Sequence, residues 1–136
     1  MAHYSVVTAV ENRIKANFAS CPIYVENELT DTPADASAWL VIQFPFSTTE
    51  WIEVEGPDGS GFQEEGAFRF VLSGPRGDGA HTGRQWLSQI ADLFRGQSFD
   101  GVQCFAPDSP IGDDNNDVGS VYRLAMAVPY QFIFNG

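Results

Sequence analysis

Apolar residues recur along this chain in two periods, and the switches between those periods predict its elements. Near the amino end Val7, Val10, Glu11, Ile14 and Phe18 fall at helical spacing, Tyr4 extends the stripe, and Asn12, Arg13 and Lys15 lie off it, which predicts a helix over 6–19. Ser20-Cys21-Pro22 ends it, because proline disfavours a helical conformation in the residue before it. Ile23-Tyr24-Val25 reads as a short extended piece, and 26–38 as a polar loop around Asp31-Thr32-Pro33-Ala34-Asp35. Trp39 to Phe44 is the clearest strand and is stopped by Pro45. A second strand is read over 48–54, a long turn over Gly56–Gly61, and a return strand over 62–73. On that return strand Phe68, Phe70 and Leu72 share one face while Ala67, Arg69 and Val71 share the other.

The helical period returns at Trp86, Leu87, Ile90, Leu93 and Phe94, which predicts a helix over 84–94. Thr82 stands at the cap with Gln85 three residues on, and Gly96 where a left-handed C-cap is wanted. A short strand is read over 99–106, an acidic loop over 108–120, and a long closing strand over 121–134 that is interrupted at Pro129. In it Tyr122, Leu124, Met126, Val128, Tyr130, Phe132 and Phe134 have one parity. The order helix, strands, helix, strands, with hairpin-compatible connections, predicts an α+β fold: an antiparallel or mixed sheet with two helices packed on one face. The long hairpin 48–70 is expected to protrude; at about 3.3 Å per residue, an arm of nine or ten residues reaches roughly 30 Å. No repeat or linker divides the chain, so residues 1–136 are read as one domain.

Composition narrows the classes of function. Hydrophobic residues make up 43% of the 136, with 11 Phe, enough for a core at this size. Eighteen acidic against seven basic residues give a net charge of −11. That argues against wrapping duplex DNA, where affinity comes from neutralising phosphates, and against docking on an anionic membrane. No apolar run approaches the roughly 20 residues needed to span a bilayer, and no signal peptide is legible at the amino end. Cys21 and Cys104 lie in apolar surroundings without a CxxC pair or a Cys/His cluster. They read as small buried hydrophobes of a reducing cytoplasm, with a disulfide as the alternative.

Motifs that carry chemistry fail on inspection. The glycine-rich run Gly74 to Gly83 lies between a strand and a helix, but it lacks the Gly-Lys-Ser/Thr of a P-loop and the third glycine of a dinucleotide fingerprint. Asp113-Asp114-Asn115-Asn116-Asp117 resembles the start of a calcium loop, yet the sixth position is Val118 and the twelfth Leu124. His3 and His81 have no motif partner, and neither a GxSxG elbow nor an HExxH pair is present. Trp39, Trp51 and Trp86 read as core, with Trp51 the most exposed because Glu50 and Glu53 flank it. No catalytic residue, cofactor or metal site is assigned, and the chain is read as a non-enzyme.

The acids are gathered: Glu26, Glu28, Asp31 and Asp35 in one loop, Glu50, Glu53, Glu55, Asp58, Glu64 and Glu65 in one hairpin, and Asp108, Asp113, Asp114 and Asp117 in another loop, fourteen of the eighteen. Beyond solubility, such loops around a channel would let a polyanion slide without sticking, since like charges repel over a screening length of about 8 Å.

The order and spacing of the whole chain resemble the tail terminator proteins of long-tailed bacteriophages and related tail-like particles. The resemblance runs from the helix 6–19 and Cys21-Pro22-Ile23-Tyr24-Val25-Glu26-Asn27, through the strand Trp39–Phe44 and the strand Ala67–Ser73, to the helix Arg84–Phe94, Phe99-Asp100-Gly101-Val102 and Val128-Pro129-Tyr130. It implies a structural subunit of a homohexameric ring that caps the tail tube, stops its polymerisation and offers a head-attachment surface. The implied partners are further copies of itself, the tail tube protein and a head–tail connector protein, with DNA passing through unbound. The implied location is the virion tail, assembled in the host bacterial cytoplasm. Within that frame Glu53, Glu55, Asp58, Glu64 and Glu65 are candidate lumen or docking acids, and Trp51, Arg69, Arg76, Arg84 and Arg123 candidate subunit-interface residues. A head–tail connector or other neck protein is the neighbouring reading, and a small-ligand binding module using Trp51 and the aromatic sheet face is the reading from another class.

Overall fold

The computed structural model describes residues 3–25, 38–52, 61–75, 81–112 and 121–135. Its elements are helix α1 (Tyr4–Asn17), strands β1 (Ile23–Val25), β2 (Trp39–Ile52) and β3 (Gly61–Pro75), helix α2 (His81–Phe94), and strands β4 (Ser98–Phe99), β5 (Val102–Cys104), β6 (Ile111–Gly112) and β7 (Val121–Asn135). The strands make one sheet in the order β1-β2-β3-β7-β5-β4, with β6 also on β7. β1 runs parallel to β2 and every other pair is antiparallel, so the sheet is mixed and the fold α+β.

Alternation decides where the core lies. Leu40 and Ile42 of β2, Phe68, Phe70 and Leu72 of β3, and Leu124, Met126, Val128 and Tyr130 of β7 are buried on one face, and both helices bring their stripes to it. The Phe94 ring meets Phe70 at 5.3 Å and Phe68 at 5.4 Å. A fully buried phenylalanine contributes roughly 1.5–3 kcal/mol, so this cluster anchors α2. The stripe of α1 is Val6, Ala9, Val10 and Ile14, continued by Phe18 just past the helix. It is rotated from the expected one, leaving Val7 partly buried and Tyr4 exposed. Arg13, expected on the solvent side, is half-buried: its Nε donates to the carbonyl of Leu93 at 2.7 Å and its guanidinium lies 4.8 Å from the Phe99 ring. A cation on the last carbonyls of α2 favours the helix dipole.

Four expectations are corrected, each for a local reason. Pro45 does not stop a strand: β2 runs through it as a bulge, with Gln43 opposite Arg69 and Phe46 opposite Ala67, so that Phe44 and Pro45 together face one residue. β1 pairs only with residues 40–42, and a bulge is where a strand tolerates a residue without an N–H. Pro129 does not interrupt β7 either. Its carbonyl accepts from Phe105 N–H at 3.0 Å, and the Phe105 carbonyl takes its hydrogen from Gly96 at 3.2 Å, so no acceptor waits for the missing proline N–H. The strand expected over 99–106 is a hairpin, β4–β5, turning on Asp100 (φ 48°) and Gly101 (φ 85°), the two positive φ values of a type I′ turn. Thr82 is the second residue of α2 and not its cap. Gly96 does adopt the left-handed φ of 64°.

The β2–β3 hairpin is not a free two-stranded arm. β7 follows β3 from Gly61↔Asn135 to Pro75↔Val121, making a three-stranded ribbon; the tip, 53–60, lies outside the described residues.

Candidate interaction surfaces

Because the helices cover the even-numbered side of β3 and β7, the odd-numbered side is left as a sheet face on which no described helix packs. The bulge makes residues 46, 48, 50 and 52 of β2 share this face, since Phe46 pairs with Ala67, Thr48 with Glu65 and Glu50 with Gln63. At one end the face closes, with Trp39 and Ser73 buried. The rest is a mixture of half-buried aliphatic side chains (Val41, Val71, Ala125, Ala127) and exposed large ones: Phe46 is 59% exposed, Ile133 51%, and Ile111 64%.

Two cavities of about 370 Å³ open on this face. One lies where Phe46, Phe105, Pro129 and Gln131 surround Glu65. The other is lined by Gln43, Arg69, Val71, Ile111 and Arg123. There the Nε of Arg69 donates to Gln43 Oε1.

The candidate residues separate accordingly. Arg69 and Arg123 come together at the second cavity. Arg84 is elsewhere, exposed on α2, where its Nη1 donates to the Pro110 carbonyl at 2.9 Å. Trp51 is 73% exposed and falls on the helix side of the ribbon beyond the helices, in register with Phe62, which is paired in turn with Phe134. Glu65 is exposed and accepts from Gln63 Nε2 at 2.6 Å. Glu53, Glu55, Asp58 and Arg76 lie outside the described residues, as does 113–120 with its acid cluster.

Glu64 is a correction to the candidate set. It is 3% exposed; its two carboxylate oxygens accept from the backbone N–H of His3, each at 3.1 Å, and Tyr130 O–H donates to Oε2 at 2.7 Å. The His3 ring, which also caps α1 by accepting from Ser5 N–H through Nδ1 at 3.1 Å, lies 4.6 Å from Phe134 and 5.2 Å from Phe132. Glu64 therefore ties the start of α1 to the sheet within the subunit. Burial and the adjacent Glu64 charge push the Tyr130 phenol well above its ordinary range. The signal missed in the sequence is parity: Glu64 is in phase with Phe68 and Phe70, Glu65 is not.

Both cysteines are free thiols, Cys104 buried and Cys21 partly so. Burial pushes Cys21 up to about 11 and Cys104 up to about 12, Arg13 opposing the latter. High thiol pKa values mean little thiolate, the reverse of what a nucleophile needs. Among the described residues no three His, Cys, Asp or Glu side chains gather as a metal site, and no helix is long and apolar enough to cross a membrane.

A family model described as phage tail terminator protein matches residues 5–130. A solved structure 20% identical in sequence superposes with a TM-score of 0.62, covering 100% of this chain and 99% of that one, a likeness of fold. No curated protein matches the sequence.

Proposed function

This chain belongs to the phage tail terminator family, and from that premise we propose that it forms a homohexameric ring that caps the tail tube, stops its polymerisation and presents a surface for head attachment. It is a structural protein of the phage tail. The observation that carries the finer reading is the open sheet face. A subunit with Phe46, Ile111 and Ile133 exposed on one face has a surface suited to burial against another subunit. Trp51, at the far end of the ribbon, is the natural anchor for the tube or the neighbouring copy, as aromatic residues are in protein interfaces. The charge of −11, repeated around an axis, keeps DNA from adhering to the passage, with Glu53, Glu55, Asp58 and Glu65 as the lumen or docking acids. Assembly takes place in the host cytoplasm, with the tube protein and a head–tail connector as partners.

Light scattering after size exclusion tests this directly. Six copies of a 14.9 kDa subunit weigh about 89 kDa, and micrographs of that species should show rings with a central hole. Added to growing tubes, the protein should bind their ends and fix their length. A protein that stays monomeric both free and with tubes, and leaves tube growth unchanged, refutes the reading.

A further inference from the structure

The ribbon carries unlike apolar features on its two sides. On the helix side Trp51 is 73% exposed, while keeping an interaction within its own chain. It stands in one row with Phe62 and Phe134, whose rings lie 5.7 Å apart. Thr49, the next residue of β2 on that side, is exposed too. The row therefore forms a step past the start of α1, where Tyr4 is 81% exposed. On the opposite, helix-free side, Phe46, Phe105 and Pro129 surround a cavity of about 370 Å³, with Thr48 and Glu65 also lining it.

We propose that Trp51 of one copy of this chain seats in the Phe46–Phe105–Pro129 cavity of the next copy, so that subunits join through opposite sides of their ribbons. The inference rests on the ring reading and deepens it by naming the contact. Because the two surfaces lie on opposite sides of one sheet, a copy that gives its Trp51 to one neighbour still offers its cavity to another. Such a contact is heterologous, and it closes into a six-membered ring when each copy is turned a sixth of a turn from the last. The cavity falls in the volume range of sites that enclose a ring-bearing group. Its aromatic and proline walls suit the indole faces. Glu65, which accepts one bond from Gln63, has carboxylate lone pairs left for the single indole N–H. Charge favours the same pairing of sides. Residues 4–17 and 81–95 carry Arg13, Lys15, Arg84 and Arg95 against Glu11 and Asp92, in a chain of net charge −11. The ribbon end of the open face presents Glu50 and Glu65, both exposed. Area suffices as well: three strands of 14 or 15 residues span roughly 700 Å² in projection, the scale of the ~800 Å² that each partner gives to a stable complex.

Two variants separate the halves of the contact. Trp51→Ala removes the anchor and keeps the cavity; Thr48→Arg fills the cavity and keeps the anchor. Both positions are exposed, and circular dichroism checks that each variant folds. In light scattering the wild type should give the ring mass and each variant alone should stay monomeric, loss of a central tryptophan weakening association about a hundredfold. An equimolar mixture should stop at two subunits, because the anchor of T48R still meets the cavity of W51A and nothing extends the pair. Cysteines beside the two halves read the same contact in rings that are free or formed on tube ends. Thr49 and Gln131 lie on opposite sides of the ribbon and cannot meet within one copy. In a Cys21→Ala background, oxidised T49C/Q131C should therefore give a disulfide ladder up to six copies, and T49C or Q131C alone none. A variant that keeps the ring mass, a mixture of folded variants that stays monomeric or builds rings, or cross-links in T49C alone would show the assigned contact wrong while the ring reading stands. A wild-type species that stops at two subunits overturns the opposite-sided arrangement. A wild type that neither self-associates nor binds tube ends removes the ring reading and this inference with it.

Discussion

Replacing Tyr130 by phenylalanine isolates one hydrogen bond in the latch that holds the amino end to the sheet. The substitution keeps the buried ring, which packs 5.9 Å from Phe68, and removes only the O–H that Glu64 Oε2 accepts at 2.7 Å. The carboxylate, 3% exposed, keeps the His3 N–H and cannot recruit water freely in place of the lost donor. A hydrogen bond to a charged group is worth about 1.5–3 kcal/mol, so a loss of about 2 kcal/mol is expected. With an unfolding entropy of about 2.1 cal/mol/K per residue, the 136 residues turn that into a fall in Tm of about 7 °C. Urea unfolding followed by tryptophan fluorescence, at one fixed protein concentration so that assembly contributes equally, gives the free energy. The companion variants Glu64→Gln and Y130F/E64Q complete a double-mutant cycle, which should show a coupling of at least about 1 kcal/mol. A loss below about 0.5 kcal/mol, with Y130F and E64Q additive, would show that the contact is not formed in solution and would return Glu64 to the set of surface acids.

Other outcomes follow from close packing and burial. Gly66→Ala should destabilise by about 2–3 kcal/mol in urea unfolding, because a Cβ there would come within 2.5 Å of the Phe46 carbonyl oxygen; Gly74→Ala, whose nearest neighbour is 3.7 Å away, should cost less than about 1 kcal/mol. Arg13→Ala should cost about 1–2 kcal/mol, losing the bond to the Leu93 carbonyl and the contact with the Phe99 ring, and Arg13→Lys should restore less than half. At pH 8 a thiol reagent should label Cys21 about a hundredfold more slowly in the native protein than in urea, its thiol being pushed up to about 11. Raised folded values for Cys21 and Cys104 mean that the folded state favours the protonated thiols. Their contribution to stability is complete below about pH 9 and lost as pH rises toward about 11 and 12. The urea midpoint should therefore decline from pH 9 to 11, and less steeply in Cys21→Ala.

Period-2 alternation made the sheet and its buried side legible, because β3 and β7 are long enough for Phe68 to Leu72 and Leu124 to Phe132 to repeat without ambiguity. The acidic excess and the arginines could be read as residue types but not as places. Arg69 and Arg123 are far apart in the chain and line one cavity only because β3 and β7 pair. Proline misled twice for one reason: its cost depends on whether a partner needs its N–H, and only the sheet order shows that at Pro45 and Pro129 none does. Asp100-Gly101 carried a turn signal that the surrounding apolar residues masked. On α1, Val6, Val7, Ala9 and Val10 are all apolar, so two stripes were compatible with the sequence, and packing against the sheet chose the one with Val6 and Ala9.

The extra residue at Phe44–Pro45 makes β2 a strand of two inverted halves. Up to the bulge even numbers look toward the helices and past it odd numbers do, a change of parity that one inserted position accounts for. Deleting Pro45 would leave Phe44 alone opposite Phe68 and keep every outer pair, from Phe46 with Ala67 to Ile52 with Gly61, so the strand would lose its kink while each side chain stayed on its own face.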